Sequence, residues 1–225
     1  MKKRIYLFCN EGYGSAYLAA FQSHAKKLAN FECRVVFSAK GPAENALRRL
    51  ARLIGHPLTR TINCLGRRNS CVGGLPASRV IDVNSPEFYE TVPKGSIGFI
   101  CGFNQIFRRP TIERFSSFLN FHPALLPYYR GAIPSYWVIK NGERITGFTA
   151  HVVTEAIDAG EIVYQETVEV DPGISEAGLD RKVAVLGAAY LIECLDAVVA
   201  GNPFRRSQVS AEYAHPIHYT SPNRN

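Results

Sequence analysis

The sequence has no long hydrophobic run. Its apolar stretches, such as SIGFICGF, are far shorter than the roughly 20 residues that a helix needs to cross a bilayer. The basic start, MKKRIYLFCNEG, is similar to a signal peptide in its first residues, but its apolar run is short and meets Asn10 and Glu11 instead of small residues. We therefore interpret this start as a first strand, and we expect a cytoplasmic protein with no membrane partner.

Cysteine pairs are also missing. The six cysteines form no CxxC motif, and Cys9, Cys33 and Cys101 lie in or beside apolar, strand-like runs, where a thiol behaves as a small hydrophobic group. This spacing argues against a disulfide framework and against a zinc site. Two late histidines, His215 and His218, have no acidic or cysteine partner at ligand spacing. We predict that the protein uses no metal.

Acidic residues are scarce in one segment. Between Lys40 and Arg79 there are eight basic residues and a single acid, Glu44, and this difference of seven equals the net charge of +7 of the whole chain. Such a segment binds a phosphate, a nucleotide or RNA, or it is the solvated face of a helix. Arg67 and Arg68 lie in an aperiodic stretch, so we expect them, rather than the arginines of AENALRRLARLI, to contact a substrate.

What the sequence does contain is an alternation of strand-like and helix-like segments. The strand-like segments are KRIYLFC, CRVVFSA, RVIDV, SIGFICGF and FLNFHP, and the helix-like ones are AYLAAFQSHAKKLA, AENALRRLARLI and SPEFYETV. The stretch from Thr59 to Ser78 mixes Arg, Gly, Asn and Pro and predicts mostly loop. Strands that alternate with helices predict a parallel sheet with helices on both faces, whose ligands bind beyond the carboxyl ends of the strands.

The pattern changes after Gly142. TGFTAHVV and EIVYQETVEV predict two strands that pair as a hairpin, and a long helix follows from its expected N-cap, Ser175, to about Gly201. The predicted fold class is α/β, with a Rossmann-like, mostly parallel sheet flanked by helices. We assign residues 1–201 to one domain and 202–225, which are polar and rich in proline, to a short C-terminal extension. The long helix or the extension either covers the core or forms the interface of a homodimer.

One polar pair stands at the end of a predicted strand. Asn120 and His122 have the same side-chain parity in FLNFHP, so both point to one face. An amide and an imidazole can hydrogen-bond a developing oxyanion or move a proton near neutral pH. Their alternative role is structural, because an isolated Asn-x-His pair is a weak signal.

A glycine-containing turn follows the first strand. NEGYGS places Gly12, Gly14 and Ser15 at a predicted helix N-terminus, where an anion is stabilised. It is not a complete GxGxxG motif, because Tyr17 occupies the last position. The turn therefore either binds a phosphate of the substrate or is an ordinary tight turn.

Three motifs in order resemble the formyltransferase family that uses 10-formyltetrahydrofolate. That family combines Asn-x-His, a Leu-Leu-Pro loop that reaches a glycine, and a later Asp-x-Gly. The corresponding residues here are Asn120 and His122, Leu125-Leu126-Pro127 reaching Gly131, and Asp158-Ala159-Gly160. ICGFNQIF is also similar to the family segment whose backbone lines the pterin pocket. The similarity extends from about Lys3 to Gly201 and is dense from Ile97 to Val170.

The resemblance implies a fold of the formyltransferase type, with residues 1–201 as its catalytic domain, and a role for each residue of the site. Asn120 would hold the formyl oxygen, His122 would stabilise the oxyanion or act as the base, and Asp158 would orient His122 and accept the amine's proton through water. Which of the two is the base stays open. The implied co-substrate is 10-formyltetrahydrofolate, and the residues expected to contact it are Phe103, Asn104, Gln105, Ile106, Phe107, Val153 and Ile157.

Chain length and sequence similarity to the different members of the family indicate which amine is the acceptor. The tRNA-acting members carry an extra C-terminal domain, and the purine-pathway members have an Asn where Ala16 follows the Gly-Ser of the turn. NFHPALLPYYRGAIPSYW is more similar to the sugar-nucleotide enzymes, so we expect an amino-sugar nucleotide as acceptor and no nucleic acid partner. Its expected contacts are Gly12, Gly14, Ser15, Arg67, Arg68 and Arg130. The alternatives are glycinamide ribonucleotide, an acceptor of the amino-acid or tRNA type, and a non-catalytic folate-binding relative.

Overall fold

The computed structural model describes residues 2–39, 70–72, 74–201 and 218–219, of which 70–72 and 218–219 are described by their backbone alone. The predicted helix AENALRRLARLI, the arginines Arg67 and Arg68 and nearly all of the predicted C-terminal extension lie outside these residues. Within the described ranges, no helix combines the length and the hydrophobicity needed to span a bilayer.

An eight-stranded sheet forms the centre of the fold. Its strands are β1 (Arg4–Cys9), β2 (Glu32–Ser38), β3 (Ser70–Val72), β4 (Leu75–Val80), β5 (Ser96–Cys101), β6 (Phe115–His122), β8 (Ile145–Val152) and β9 (Ile162–Glu169), and a separate short pair is formed by β7 (Arg130–Gly131) and β10 (His218–Tyr219). The spatial order is β3-β4-β2-β1-β5-β6-β8-β9. The five strands from β4 to β6 are parallel, whereas β3, β8 and β9 pair antiparallel with their neighbours. The predicted mostly parallel sheet, with the hairpin of β8 and β9 added to it, is confirmed.

Helices cover both faces of this sheet. They are α1 (Ser15–Ser23), α2 (Pro86–Tyr89), α3 (Arg109–Ile112), α4 (Pro134–Lys140) and α5 (Glu176–Val199). On one face, α1 and α5 pack against each other over the larger hydrophobic cluster, which contains Leu7 of β1. On the other face, Phe8 of the same strand lies in a smaller, aromatic cluster with Phe88 of α2. Successive residues of β1 therefore enter different cores, as a strand buried on both faces requires.

The predicted N-cap of the long helix is confirmed, because the Ser175 hydroxyl accepts a hydrogen bond of 3.1 Å from the Gly178 N–H. The prediction between Thr59 and Ser78 was wrong in its last part. The strand predicted as RVIDV is shifted, and β4 spans Leu75–Val80 instead. Gly74 and Pro76 are typical of a turn, but Leu75 and Ala77 are buried, and Ala77 pairs with Val35 of β2. Burial and sheet pairing outweigh the local turn signal there.

Candidate active site

The site begins at the carboxyl end of β6, where the strand presents polar side chains. Asn120 and His122 both face the loop that carries Asp158. The Asn120 amide nitrogen lies 3.1 Å from Asp158 Oδ1, and His122 Nδ1 lies 3.5 Å from Asp158 Oδ2. His122 is 4% exposed, so its ring is shielded from bulk water. The structure thus brings together the three side chains expected to be catalytic.

The loop around Asp158 has a backbone that fixes the carboxylate. Asp158 has φ 47°, a left-handed conformation that a short polar residue adopts more readily than most. Two residues later, a Cβ on Gly160 would lie 1.7 Å from the Val152 carbonyl oxygen of β8. A glycine is required there because the loop passes directly against the strand. The Asp-Ala-Gly motif therefore has a steric reason in addition to its chemistry.

The loop after β6 orients His122. The Tyr129 carbonyl oxygen lies 2.8 Å from His122 Nε2, and a carbonyl can only accept, so Nε2 carries the proton. In the neutral ring, Nδ1 therefore has its lone pair free beside Asp158. The Gly131 N–H donates to Asp158 Oδ2 at 2.8 Å. Two neighbouring backbone groups of one loop thus position both the imidazole and the carboxylate.

This loop is itself tied to β8 by one buried hydroxyl. Thr149 Oγ1 donates to the Ala124 carbonyl at 2.7 Å and accepts from the Leu126 N–H at 3.0 Å. The Gln165 amide of β9 adds bonds of 2.6 Å to the Leu126 carbonyl and 2.9 Å to the Thr149 hydroxyl. Because these groups are buried or half-buried, the bonds hold the loop in a single position.

Burial and charge set different protonation states for the two ionisable groups. Burial lowers the pKa of His122 below its ordinary value, and the neighbouring Asp158 carboxylate offsets only part of this effect. Burial alone would raise the pKa of Asp158, but the imidazoles of His122 and His151, which carry positive charge when protonated, and the hydrogen bond from the Gly131 N–H hold it far below its ordinary value. Near neutral pH the site therefore contains an ionised Asp158 and a neutral His122.

His151 is a fourth member of the cluster, and the sequence interpretation did not include it. It is 2% exposed and pairs directly with Asn120 across β6 and β8. Its Nε2 lies 3.0 Å from the Asn120 amide nitrogen and 3.4 Å from Asp158 Oδ1. Its Nδ1 lies 3.0 Å from the Val152 carbonyl, which makes Nδ1 the donor and Nε2 an acceptor for Asn120 in the neutral ring. The antiparallel register of β8 against β6 was the missing information.

The residues expected to contact the folate divide into exposed and buried groups. Ile106 is 60% exposed and Ile157 is 39% exposed, so both offer apolar surface to a flat ring. Their two loops meet where the Arg109 N–H donates to the Glu155 carboxylate at 3.2 Å. Asn104 is also exposed. The exposed side chains of Ile106 and Ile157 are available for a ligand.

The remaining folate candidates act in the fold. Phe103 and Phe107 lie against Phe8, with ring centroids 5.5 and 5.0 Å away, in the aromatic core. The buried Gln105 amide bonds to the last residues of two strands, through the Val80 carbonyl of β4 and the Ser38 hydroxyl of β2, and to the Val83 N–H in the turn after β4. Val153 packs against the same core. These four residues position the loop and leave contact with a ligand mainly to its backbone.

The glycine turn after β1 is closed on itself. Asn10 Oδ1 accepts from the Gly12 N–H at 3.1 Å and from the Gly14 N–H at 2.8 Å. A Cβ on Gly14 would lie 2.6 Å from the Asn10 carbonyl and 2.7 Å from the Cys101 carbonyl, so close packing explains this glycine. The Ser15 N–H bonds to the Gly12 carbonyl at 3.0 Å. These contacts favour the tight turn over a phosphate-binding loop.

Residues 76–195, more than half of the chain, match the family model described as Formyl transferase. The chain belongs to the formyl transferase family, which confirms the family predicted from its three motifs. It is 30% identical over 142 residues to a methionyl-tRNA formyltransferase of Geotalea uraniireducens, covering 61% of this chain and 45% of the relative. The chain spans half or less of the length of the curated relatives it matches.

Solved structures share the fold at low sequence identity. A glycinamide ribonucleotide transformylase of Symbiobacterium toebii superposes with a TM-score of 0.62 at 20% identity, covering 88% of both chains. An N-formyltransferase of Helicobacter canadensis, solved with folinic acid and dTDP-3-aminofucose, superposes with a TM-score of 0.60 at 17% identity, covering 98% of this chain and 71% of its own. These likenesses agree with the observed α/β architecture.

Proposed function

We propose that this protein transfers a formyl group from 10-formyltetrahydrofolate to a primary amine. The observation that carries the proposal is the cluster of Asn120, His122 and Asp158, assembled at the carboxyl edge of the sheet in a protein of this family. Formyl transfer passes through a tetrahedral intermediate with a negatively charged oxygen, so it needs a hydrogen-bond donor and a proton acceptor in a shielded place. The cluster supplies each of these.

In the proposed reaction, the acceptor amine attacks the formyl carbon, and the Asn120 N–H that lies against Asp158 in the free protein turns to donate to the developing oxyanion. The proton lost by the amine goes to His122 Nδ1, or through water to Asp158. His122 Nδ1 lies 3.5 Å from Asp158 Oδ2, so the carboxylate would stabilise the imidazolium that forms when Nδ1 is protonated. Collapse of the intermediate breaks the bond between the formyl carbon and the folate nitrogen, which recovers a proton to give tetrahydrofolate.

The folate is proposed to lie beside the loops of residues 102–108 and 153–158. The exposed side chains of Ile106 and Ile157 suit an aromatic ring system, and the backbone of the first loop offers polar groups beside them. The folinic acid bound to the Helicobacter canadensis relative supports a folate as donor.

The proposed acceptor is an amino-sugar nucleotide. It is supported by the similarity of NFHPALLPYYRGAIPSYW to the sugar-nucleotide enzymes. It is also supported by the fold shared with the relative solved with dTDP-3-aminofucose. A methionyl-tRNA acceptor is the second candidate, because the curated relative with 30% identity is a methionyl-tRNA formyltransferase. Arg67 and Arg68 are kept as proposed contacts to the acceptor, and Gly12, Gly14 and Ser15 are a weaker proposal because their turn is closed by Asn10.

The proposal is tested by incubating the protein with 10-formyltetrahydrofolate and, separately, a dTDP-linked amino-sugar, glycinamide ribonucleotide, methionyl-tRNA and a free amino acid. Tetrahydrofolate release is followed by absorbance, and the N-formyl product is identified by mass spectrometry. Release with one acceptor class names the substrate. Binding of 5-formyltetrahydrofolate without turnover on any amine would contradict the proposal and favour a non-catalytic folate-binding role.

A further inference from the structure

Arg130 lies between two residues whose backbone groups contact the catalytic side chains. The carbonyl before it, from Tyr129, accepts from His122 at 2.8 Å, and the N–H after it, from Gly131, donates to Asp158 at 2.8 Å. Both neighbours have left-handed backbones, with φ 54° at Tyr129 and 97° at Gly131. The chain therefore turns sharply on each side of Arg130, and the origin of its side chain is fixed within one side-chain length of the reacting groups.

Among the residues that the structure describes, no carboxylate pairs with the guanidinium group of Arg130. Its Nε is buried without a hydrogen-bond partner, and no side-chain hydrogen bond or ion pair joins Arg130 to the residues that the structure describes. Four other arginines do pair with carboxylates: Arg4 and Arg34 with Glu32, Arg79 with Glu11, and Arg109 with Glu113. A guanidinium whose Nε is buried without a partner is unfavourable unless a ligand supplies one.

We propose that Arg130 binds a phosphate group of the acceptor, close to the amine that is formylated. This inference rests on the proposed function and specifies its acceptor class. A planar guanidinium forms paired, charge-assisted hydrogen bonds with phosphate oxygens. In an amino-sugar nucleotide, the first phosphate is separated from the amine by the sugar ring alone. In the folate donor, by contrast, the carboxylates lie beyond the aminobenzoyl group, far from the formyl nitrogen.

The first test measures binding, so that it does not depend on turnover. Calorimetry compares dTDP and 5-formyltetrahydrofolate binding to the wild-type protein, to Arg130→Gln and to the control Arg144→Gln, which removes an equal charge at an exposed position. We expect Arg130→Gln to weaken dTDP binding roughly ten- to hundredfold, the effect of losing charged hydrogen bonds. Folate binding and the control should not change, and Arg130→Lys should retain part of the affinity.

Three results would overturn the inference: equal dTDP affinity in wild type and Arg130→Gln, no dTDP binding to the wild type, or a loss confined to the folate. If Arg130→Gln does not fold, as judged by folate binding, Arg130→Lys decides in its place, and unchanged dTDP affinity there contradicts the bidentate contact. The proposed function fails separately. If the protein binds dTDP through Arg130 but formylates no amine, the inferred anion site stands and the proposed formyltransferase activity is contradicted.

Discussion

Replacing Asp158 by Asn should remove most of the activity with little change in shape. The carboxylate accepts from the Asn120 amide through one oxygen and from the Gly131 N–H through the other. An amide can accept only on one side, so one of these donors would face the new NH₂ group. The substitution also removes the negative charge beside His122.

The expected loss of rate follows from the distance between His122 and Asp158. A unit charge on His122 Nδ1 lies 3.5 Å from Asp158 Oδ2, and both side chains are buried. With the effective dielectric constant of about 20 that suits such sites, their attraction is roughly 5 kcal/mol. This corresponds to roughly three to four orders of magnitude in rate if a full charge forms on the imidazole. Because charge transfer in the transition state is incomplete, we expect a loss in kcat of about 10²- to 10³-fold.

The assay measures tetrahydrofolate release at a series of pH values, with the acceptor that the panel of amines described above identifies. If His122 is the base, the acidic limb of the rate profile of Asp158→Asn should move to lower pH, because the Asp158 charge raises the pKa of His122 and its removal lowers it. If Asp158 is the base, that limb should disappear. Asp171→Asn, an exposed carboxylate paired with Lys182, is the control. A kcat of Asp158→Asn near that of the control would refute the assignment.

Three further outcomes are expected. Asn120→Asp should be slower than Asn120→Ala, because it places a carboxylate beside the oxyanion; equal residual rates would mean that Asn120 does not touch the formyl oxygen. His151→Leu should lower the free energy of unfolding in urea by about 1–3 kcal/mol, since the second Asn120 N–H loses its partner, and no loss would argue against that bond. The free energy of unfolding of the wild type should exceed that of Asp158→Asn above about pH 4, and this difference should decrease as the pH falls further, because the pKa of Asp158 is depressed in the folded protein. A difference that stays constant from about pH 6 to 3 would contradict the depressed pKa.

Local patterns predicted most of the sheet because strand composition and burial agree there. SIGFIC is buried at every position and forms β5, and Ser175 caps its helix through a bond within the same turn. The failure was β4, where Pro76 and Gly74 have turn propensity but Ala77 is held by pairing with β2. A contact between distant segments decided that case, and no window of the sequence contains it.

The residues of the candidate site also divide into those that the local sequence predicts and those that depend on contacts between distant segments. Asn120 and His122 could be placed on one face from strand parity alone, and Asp158 came from the resemblance to a family. His151 could not be found, because its role depends on the register of β8 against β6, which places it opposite Asn120. The closed turn of Gly12 and Gly14 depends on the rotamer of Asn10, which sequence does not specify.

The proposed catalytic cluster spans a short part of the chain. Asn120 and Asp158 are separated by 38 positions, and His122, Tyr129, Gly131 and His151 all fall between them. The antiparallel pairing of β6 with β8 closes this segment on itself, so forming the cluster requires the closure of one modest loop. The proposed reacting groups and their backbone partners therefore lie in one segment of the chain, placed against a sheet whose strands β1 to β4 contribute to none of these contacts. We therefore expect exposed substitutions in those strands to leave the arrangement of these side chains unchanged.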